Sequence, residues 1–470
     1  MVRFFISFLL FCAALHAAPP GLENLVPAGG QVGSKVELTV AGKGLESGKP
    51  VAWCSNPGVV LLGGDKPKKF IATIAKDAKP GPCLVRFYTA EGVTPPRIFV
   101  VGEKAEFSEK EPNDAFADAQ KAEPRGDAVI NGILEKSGDI DTHAIQAKKG
   151  QTLILELQGY ALGSPMDPAM RLLDARGVEI AGGHDTHNLD PRIVFTPQAD
   201  GVLYAQVLAF AHPPAADVAL KGSANHVYRL AVVSLATETA PQPEPAKITV
   251  PAAIRGVLAK PREEDVFGLT AKKGDEFAIS ARSRFFDVVL RVDDADGKTL
   301  AQADDDADSL NAVLKWKAAK DGEVKVVVAD RFHSGSAQHA YELEVKPFTP
   351  SLTALMDTHA YRIEAGKSTE VKLTVKTSGT FAAKLSAKAV ELPAGVSADA
   401  VEIPAKGGDV KLTLKATAEV AASEAPFRIE ITDGTQTFAA TYLIPFTEPR
   451  GDLLITRDEK AWLSVVANKK

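Results

Sequence analysis

Four of the six side chains in Glu109-Lys110-Glu111-Pro112-Asn113-Asp114 carry oxygen donors. In an extended segment, residues i, i+2 and i+4 project to one face. Glu109, Glu111 and Asn113 have that spacing. Carboxylates and a carboxamide are the hard donors that Ca2+ collects, about six to eight at a time. Pro112 stiffens the segment and lowers the entropy lost when it is ordered. Carboxylates this close repel one another unless a cation joins them. The same residues support a second reading, in which Asp114 caps a short helix over 115–122 and the glutamates are solvated.

Other clusters carry weaker chemistry. Asp304 to Asp308 is a charge run that reads as a solvated loop or a cation site. Asp294-Ala295-Asp296-Gly297 looks like a hairpin turn, with no Glu placed to complete a calcium loop. His184 and His187 offer two imidazoles, short of the four ligands a structural zinc needs. Arg125-Gly126-Asp127 and Arg450-Gly451-Asp452 spell an adhesion tripeptide that chance also supplies. The chain has no H-E-x-x-H, no G-x-S-x-G and no glycine-rich phosphate loop, so no catalytic centre is assigned. Trp53, Trp316, Phe285, Phe286 and Tyr160 are either core residues or platforms for a sugar or peptide.

The elements that position these groups are strands. Alternating runs such as Lys35-Val36-Glu37-Leu38-Thr39-Val40 and Glu370-Val371-Lys372-Leu373-Thr374-Val375 recur between Gly, Pro, Asn and Asp. Many short strands with regular turns and little helical periodicity predict an all-β chain of tandem β-sandwiches. At 470 residues the length suits three or four domains. A net charge of −6 gives no basic field to attract nucleic acid.

Residues 1–17 read as a secretory signal peptide: Arg3, an apolar run, then small residues up to Ala17. That run is too short to span a bilayer, and no later stretch holds eighteen apolar residues in a row. The expectation is a secreted or periplasmic protein with no membrane span. Cys12 leaves with the signal peptide. Cys54 and Cys83 read as one disulfide, with two buried thiols as the alternative.

Composition shifts divide the rest into 18–102, 105–235, a Pro-rich linker at 236–246, 247–347 and 348–470. An internal repeat spans the linker. GILEKSGDIDTHAIQAKKGQ from Gly132 aligns with GVLAKPREEDVFGLTAKKGD from Gly256, and DPAMRLLDARG from Asp167 aligns with DVVLRVDDADG from Asp287. Tyr228-Arg229-Leu230 likewise meets Tyr341-Glu342-Leu343. Lys-Lys-Gly and Asp-Gly in both copies read as hairpin turns.

These residues resemble the bacterial pre-peptidase C-terminal (PPC) domain: Glu111 to Asp114, Gly132, Gly138 to Asp141, Ala147 to Gln151, Ser164 to Pro168 and Leu172 to Gly177. The likeness is close over 105–235 and looser over 247–347, which lacks the E-P-N-D segment. Residues 18–102 resemble an immunoglobulin-like IPT/TIG domain through Pro27-Ala28-Gly29-Gly30, Gly33, Val40-Ala41-Gly42 and Gly44-Leu45. Residues 348–470 resemble immunoglobulin-like modules of secreted bacterial proteins.

The PPC sandwich is similar to the collagen-binding domain of secreted bacterial collagenases, where a comparable segment and downstream aspartates hold calcium. The resemblance therefore implies a Ca2+ clasp of Glu109, Glu111, Asn113, Asp114, Asp139 and Asp141. It implies no equivalent clasp around Glu263, Glu264 and Asp265. The expected function is a non-catalytic binding or adhesion protein that meets an extracellular polysaccharide or protein. The alternative is an accessory to, or a cryptic form of, a secreted peptidase or hydrolase.

Overall fold

The computed structural model describes residues 18–467, except 47–48, 120–123, 187–188, 217, 235–246, 284, 306–310, 337–338 and 447–452. The expected signal peptide, the whole linker, His187, Asp306 to Asp308 and Arg450-Gly451-Asp452 lie outside the described residues.

The chain is a series of antiparallel β-sandwiches, as its alternating patterns predict. In the first, Asn24–Val26, Lys35–Ala41, Lys69–Ile74 and Val59–Gly63 form one sheet. Gly29–Gln31, Arg97–Gly102, Gly81–Thr89 and Val51–Cys54 form the other.

The second sandwich pairs Ala128–Ile133, Val227–Ser234, Leu153–Gln158 and Arg192–Phe195, in that spatial order. Against that sheet packs another, ordered Asp141–Ala147, Gly201–Ala211, Met166–Leu173 and Glu179–Gly183. The third sandwich repeats this topology strand for strand. Its sheets run Ala252–Val257, Ala340–Pro347, Glu276–Arg282, Ala312–Lys317 and Glu264–Ala271, Gly322–Asp330, Val288–Asp293, Thr299–Ala303. The Lys-Lys-Gly turns behave as their glycines demand, with φ +74° at Gly150 and +93° at Gly274.

The two copies differ in how the chain leads in. Glu106–Ser108 joins the second sandwich as a parallel edge strand beside Ala128–Ile133. Lys247–Ile248 instead joins the third beside Glu264–Ala271, on the opposite sheet. The fourth sandwich has one sheet of Ser351–Met356, Ser368–Ser378, Gly407–Ala416 and Val396–Ala398. Its other sheet includes Ala360–Glu364, Ala461–Val466, Ser423–Thr432 and Leu385–Val390.

The sandwiches do not stand apart like beads. The strands Gly81–Thr89 and Arg97–Gly102 are buried on both faces, whereas an outer sheet face normally alternates with polar residues. One face lines the first core; on the other, Leu84, Ile98 and Val100 share a core with Met356, Ile363 and Leu463 of the fourth sandwich. Leu162 and Val227 of the second join the same cluster.

The five aromatic candidates are absorbed by this packing. Trp53 meets Trp462 edge-on at 5.8 Å, Trp316 stacks on Phe277 at 5.9 Å, and Phe286 stacks on His339 at 5.3 Å. Tyr160 is buried, and Phe285 lies 4.1 Å beneath the Arg192 guanidinium, which joins the second and third sandwiches.

The expected disulfide is not formed here. Cys54 and Cys83 are both free thiols with their sulfurs 3.6 Å apart. Cys54 pairs across the sheet with Val85, so Cys83 sits diagonally, two residues along the neighbouring strand.

Candidate metal centre

The leading segment crosses from one sheet of the second sandwich to the other. Its strand Glu106–Ser108 continues the first sheet, and Glu109 N donates to Asn131 O at 2.9 Å. Four residues later the segment is hooked to the facing sheet, where Thr142 N donates to Asn113 O at 3.1 Å. Among the described residues the helix that follows is Phe116–Ala119, and 120–122 of the expected 115–122 lie outside them.

The six expected donors lie at this end of the sandwich in linked groups: Tyr228 bridges Glu109 and Asp141, Glu109 reaches Asn113, and Asp114 and Asp139 share Lys136. Glu109 Oε1 accepts from Ile133 N at 2.5 Å, and Glu109 Oε2 lies 3.4 Å from Asn113 Nδ2. Glu111 Oε2 accepts from Asn113 N at 3.1 Å. Asp114 and Asp139 share one ammonium, Lys136 Nζ, at 3.4 and 3.8 Å. Asp139 also accepts from Glu135 N. Asp141 is fully buried and Asp139 nearly so.

Sequence reasoning missed the centre of this cluster. Tyr228 Oη lies 2.6 Å from Asp141 Oδ2, 2.9 Å from Glu109 Oε2 and 2.8 Å from His143 Nε2. Glu109, Asp141 and His143 each offer a ligand atom within 4.8 Å of the others. The phenol has one hydrogen, so it cannot satisfy two carboxylates at once. His143 follows Asp141 by two on one strand and so shares its face. The usable signal was the repeat itself: Tyr228, Asp141 and Gly132 recur as Tyr341, Asp265 and Gly256.

Gly132 is required by close approach. A Cβ there would sit 2.2 Å from Tyr228 Cζ and 2.5 Å from Glu109 Oε2. In the third sandwich a Cβ on Gly256 would sit 2.3 Å from Tyr341 Cζ, and Tyr341 Oη lies 2.5 Å from Asp265 Oδ2. The Tyr–Asp bridge is therefore common to both copies. The acids beside it are not. Glu264 is held bidentately by Arg291 at 2.9 Å and Glu263 accepts from Lys260 N at 2.7 Å.

The electrostatics of the cluster favour a cation. Burial, then the neighbouring Glu109, pushes the Asp141 carboxyl up to about 10. Burial also raises Glu109, Glu111 and Asp139. Burial lowers the His143 imidazole to about 4, so it is neutral. Asn113 Oδ1, Asp114 Oδ1 and Asp141 Oδ1 are buried with no hydrogen-bond partner. Buried oxygens without donors carry a desolvation cost of about 1–3 kcal/mol each. The other oxygen of Asp114 turns to Lys136 Nζ at 3.4 Å. Five carboxylates and one carboxamide, three of their oxygens without a partner, are the kind of donors a hard divalent cation takes.

The remaining candidates are accounted for by local structure. Asp294 Oδ1 accepts from Asp296 N and Lys298 N, closing a hairpin turn at 3.1 and 2.9 Å. Asp304 pairs with Arg331. His184 is exposed beside Asp185. Arg125 is bonded to the backbone of Ala144, and Asp127 accepts from Ser234 N, so both ends of this tripeptide are tied to neighbouring strands.

No protein-family model matches the chain, and no curated protein matches it. Among solved structures, the pre-peptidase C-terminal domain of collagenase from Bacillus anthracis is 19% identical over 22% of this chain and 98% of its own, with a TM-score of 0.19. The N-terminal four Ig domains of Dscam1 isoform 8.4 are 10% identical over 96% of this chain and 100% of theirs, TM-score 0.23. SGBP-B of the Bacteroides ovatus mixed-linkage glucan utilization locus, in complex with a heptasaccharide, is 8% identical over 68% of this chain and 72% of its own, TM-score 0.15. Likenesses at this level transfer no residue role or activity.

Proposed function

We propose that the chain is a non-catalytic binding or adhesion protein, acting outside the cytoplasm, whose second sandwich is closed by one Ca2+ ion. Glu109, Glu111, Asn113, Asp114, Asp139 and Asp141 would hold the ion. It would supply positive charge to Glu109, Glu111, Asp139 and Asp141, whose ionised forms burial disfavours. The residues themselves fasten the leading segment across both sheets, and Tyr228 orients Glu109 and Asp141. The observation that supports this reading is the acidic pair of half-buried Glu109 and buried Asp141 beside the orphaned oxygens of Asn113, Asp114 and Asp141.

The binding role rests on architecture. The described residues are built as packed sandwiches, and no helix among them is long and apolar enough to cross a membrane. The net charge of −6 disfavours a nucleic-acid partner. With the aromatic candidates packed inside, recognition of an extracellular polysaccharide or protein falls to loops and polar strand faces.

Calorimetric titration with Ca2+ after EDTA treatment tests the site, and absence of heat would refute it. Pull-downs against collagen, cell-wall glycans and soluble polysaccharides test the binding role. Zymography on casein and gelatin tests the hydrolase alternative; calcium-dependent clearing would replace the present reading.

A further inference from the structure

Arg86, on the strand Gly81–Thr89, is fully buried where the first sandwich meets the fourth. Its Nη1 lies 3.3 Å from His359 Nδ1 and 3.3 Å from His359 O. Its Nη2 donates to the Tyr442 hydroxyl and, at 3.4 Å, to Lys460 O. Its guanidinium carbon stands 5.3 Å from the Tyr442 ring and 6.0 Å from the Trp462 ring. Among the described residues it has no carboxylate within ion-pair distance. Asp458 is reached only through Tyr442, whose hydroxyl donates to Asp458 Oδ2 at 2.8 Å.

A guanidinium carries donors and no acceptor. Its bond to His359 therefore needs a lone pair on Nδ1, which the imidazole has only when that nitrogen is unprotonated. We propose that His359 is an acid-sensitive latch between the first and fourth sandwiches: protonating Nδ1 removes the acceptor, sets a second cation against the buried Arg86, and loosens the junction. Separation would then expose Leu84, Ile98 and Val100, the apolar face the fourth sandwich covers.

The groups facing the latch come from each packed element. Arg86 and Arg97 lie on the two strands of the first sandwich, and both disfavour a charged His359. Tyr442 and Asp458 pair across the two-stranded sheet of Tyr442–Leu443 and Arg457–Asp458, and Lys460 leads into Ala461–Val466 with its ammonium 6.0 Å from the Trp53 ring. Glu424 accepts from Trp462 Nε1 and Ser464 Oγ, both at 2.7 Å. Arg362 donates to Glu91 O at 3.1 Å. Burial, then Arg86 and Arg97, lowers His359 to about 3.

The sign follows from that direction. A histidine depressed in the closed form contributes stability that is complete above its free value of about 6.5 and fades as pH falls towards the closed value. The closing equilibrium then weakens about tenfold per pH unit, or about a hundredfold from pH 6.5 to 4.5. Burial raises Glu424, so its protonation works in the opposite direction.

Hydrogen exchange on the full chain at pH 7 and 4.5, corrected for intrinsic rates, reads the junction through the amides of Leu84 to Phe87 and Trp462 to Val465. The expected result is a loss of protection of about a hundredfold in the parent protein. The loss should vanish in His359→Asn, whose Oδ1 accepts from Arg86 without titrating. Unchanged protection in the parent, or an equal loss in His359→Asn, overturns the latch. Should the variant fail to fold, NMR titration of the parent decides: His359 must stay neutral below pH 5, and titration near 6.5 in the closed protein overturns the idea.

Discussion

The hydroxyl of Tyr228 lies 2.6 Å from the carboxylate of Asp141, so a residue of one sheet is bonded to a residue of the other at the end where the chain enters the sandwich. Tyr341 and Asp265 make the same bridge in the third sandwich. Only the first of these bridges has Glu109 and His143 beside it. The acidic cluster is thus an addition to a shared structural bridge, made possible by where the leading strand docks.

If those acids hold calcium, removing one peripheral ligand should weaken the ion without collapsing the fold. Asp114 is the suitable target, since its side chain is 43% exposed. Asp114→Ala should lower calcium affinity by roughly tenfold or more, with the melting temperature in EDTA nearly unchanged. In the parent protein, calcium at a hundred times its dissociation constant should add about 2.7 kcal/mol of stability. Paired thermal melts with EDTA or calcium, for parent and variant, check both numbers.

Gly132→Ala places a methyl inside the Tyr228 ring contact and against Glu109. The expected cost is about 1–3 kcal/mol, as for other overpacked sites, together with loss of the calcium-dependent rise in melting temperature. Gly256→Ala should cost a similar amount, because it strikes Tyr341 in the same way, yet leave the calcium response intact. Equal calcium responses in both variants would disconnect Gly132 from the site.

How much of this was readable beforehand depended on the kind of contact. Strand alternation, the repeat and its turn glycines are local patterns, and the structure follows them. Spacing along one extended face singled out Glu109, Glu111 and Asn113, while the resemblance to the PPC domain, not any local pattern, brought in Asp114, Asp139 and Asp141. Tyr228 and His143 were not, because their role arises from sheets packing face to face, which no local window records. The burial of both faces of Arg97-Ile98-Phe99-Val100-Val101 did leave a trace, a continuous apolar run where a solvent-facing sheet would alternate. Arg86 inside such a strand gave no sign that it would meet Tyr442, which is 356 residues away.

The two thiols of the first sandwich predict a redox-dependent stability. Their sulfurs face each other at 3.6 Å between neighbouring strands. Protein recovered from an oxidising compartment should titrate with no free thiol, and its first sandwich should be about 3 kcal/mol more stable than after reduction. Two free thiols per chain after oxidative export would show that the pair is merely packed.

The junction of the first and fourth sandwiches should make them unfold together. Trp462 is 1% exposed, sits edge-on to Trp53, and has the Tyr88 ring 5.2 Å away. Two of those three rings belong to the first sandwich, so truncating Trp462 damages the fourth core and the shared seam in one step. Trp462→Ala should cost about 3–5 kcal/mol, as large core truncations do. Because Trp53 and Tyr88 lose their common partner, the first sandwich should then melt as a separate transition in calorimetry. A single unsplit transition, shifted down by the same energy, would mean that the apolar contacts of Leu84, Ile98 and Val100 couple the two sandwiches without the tryptophan.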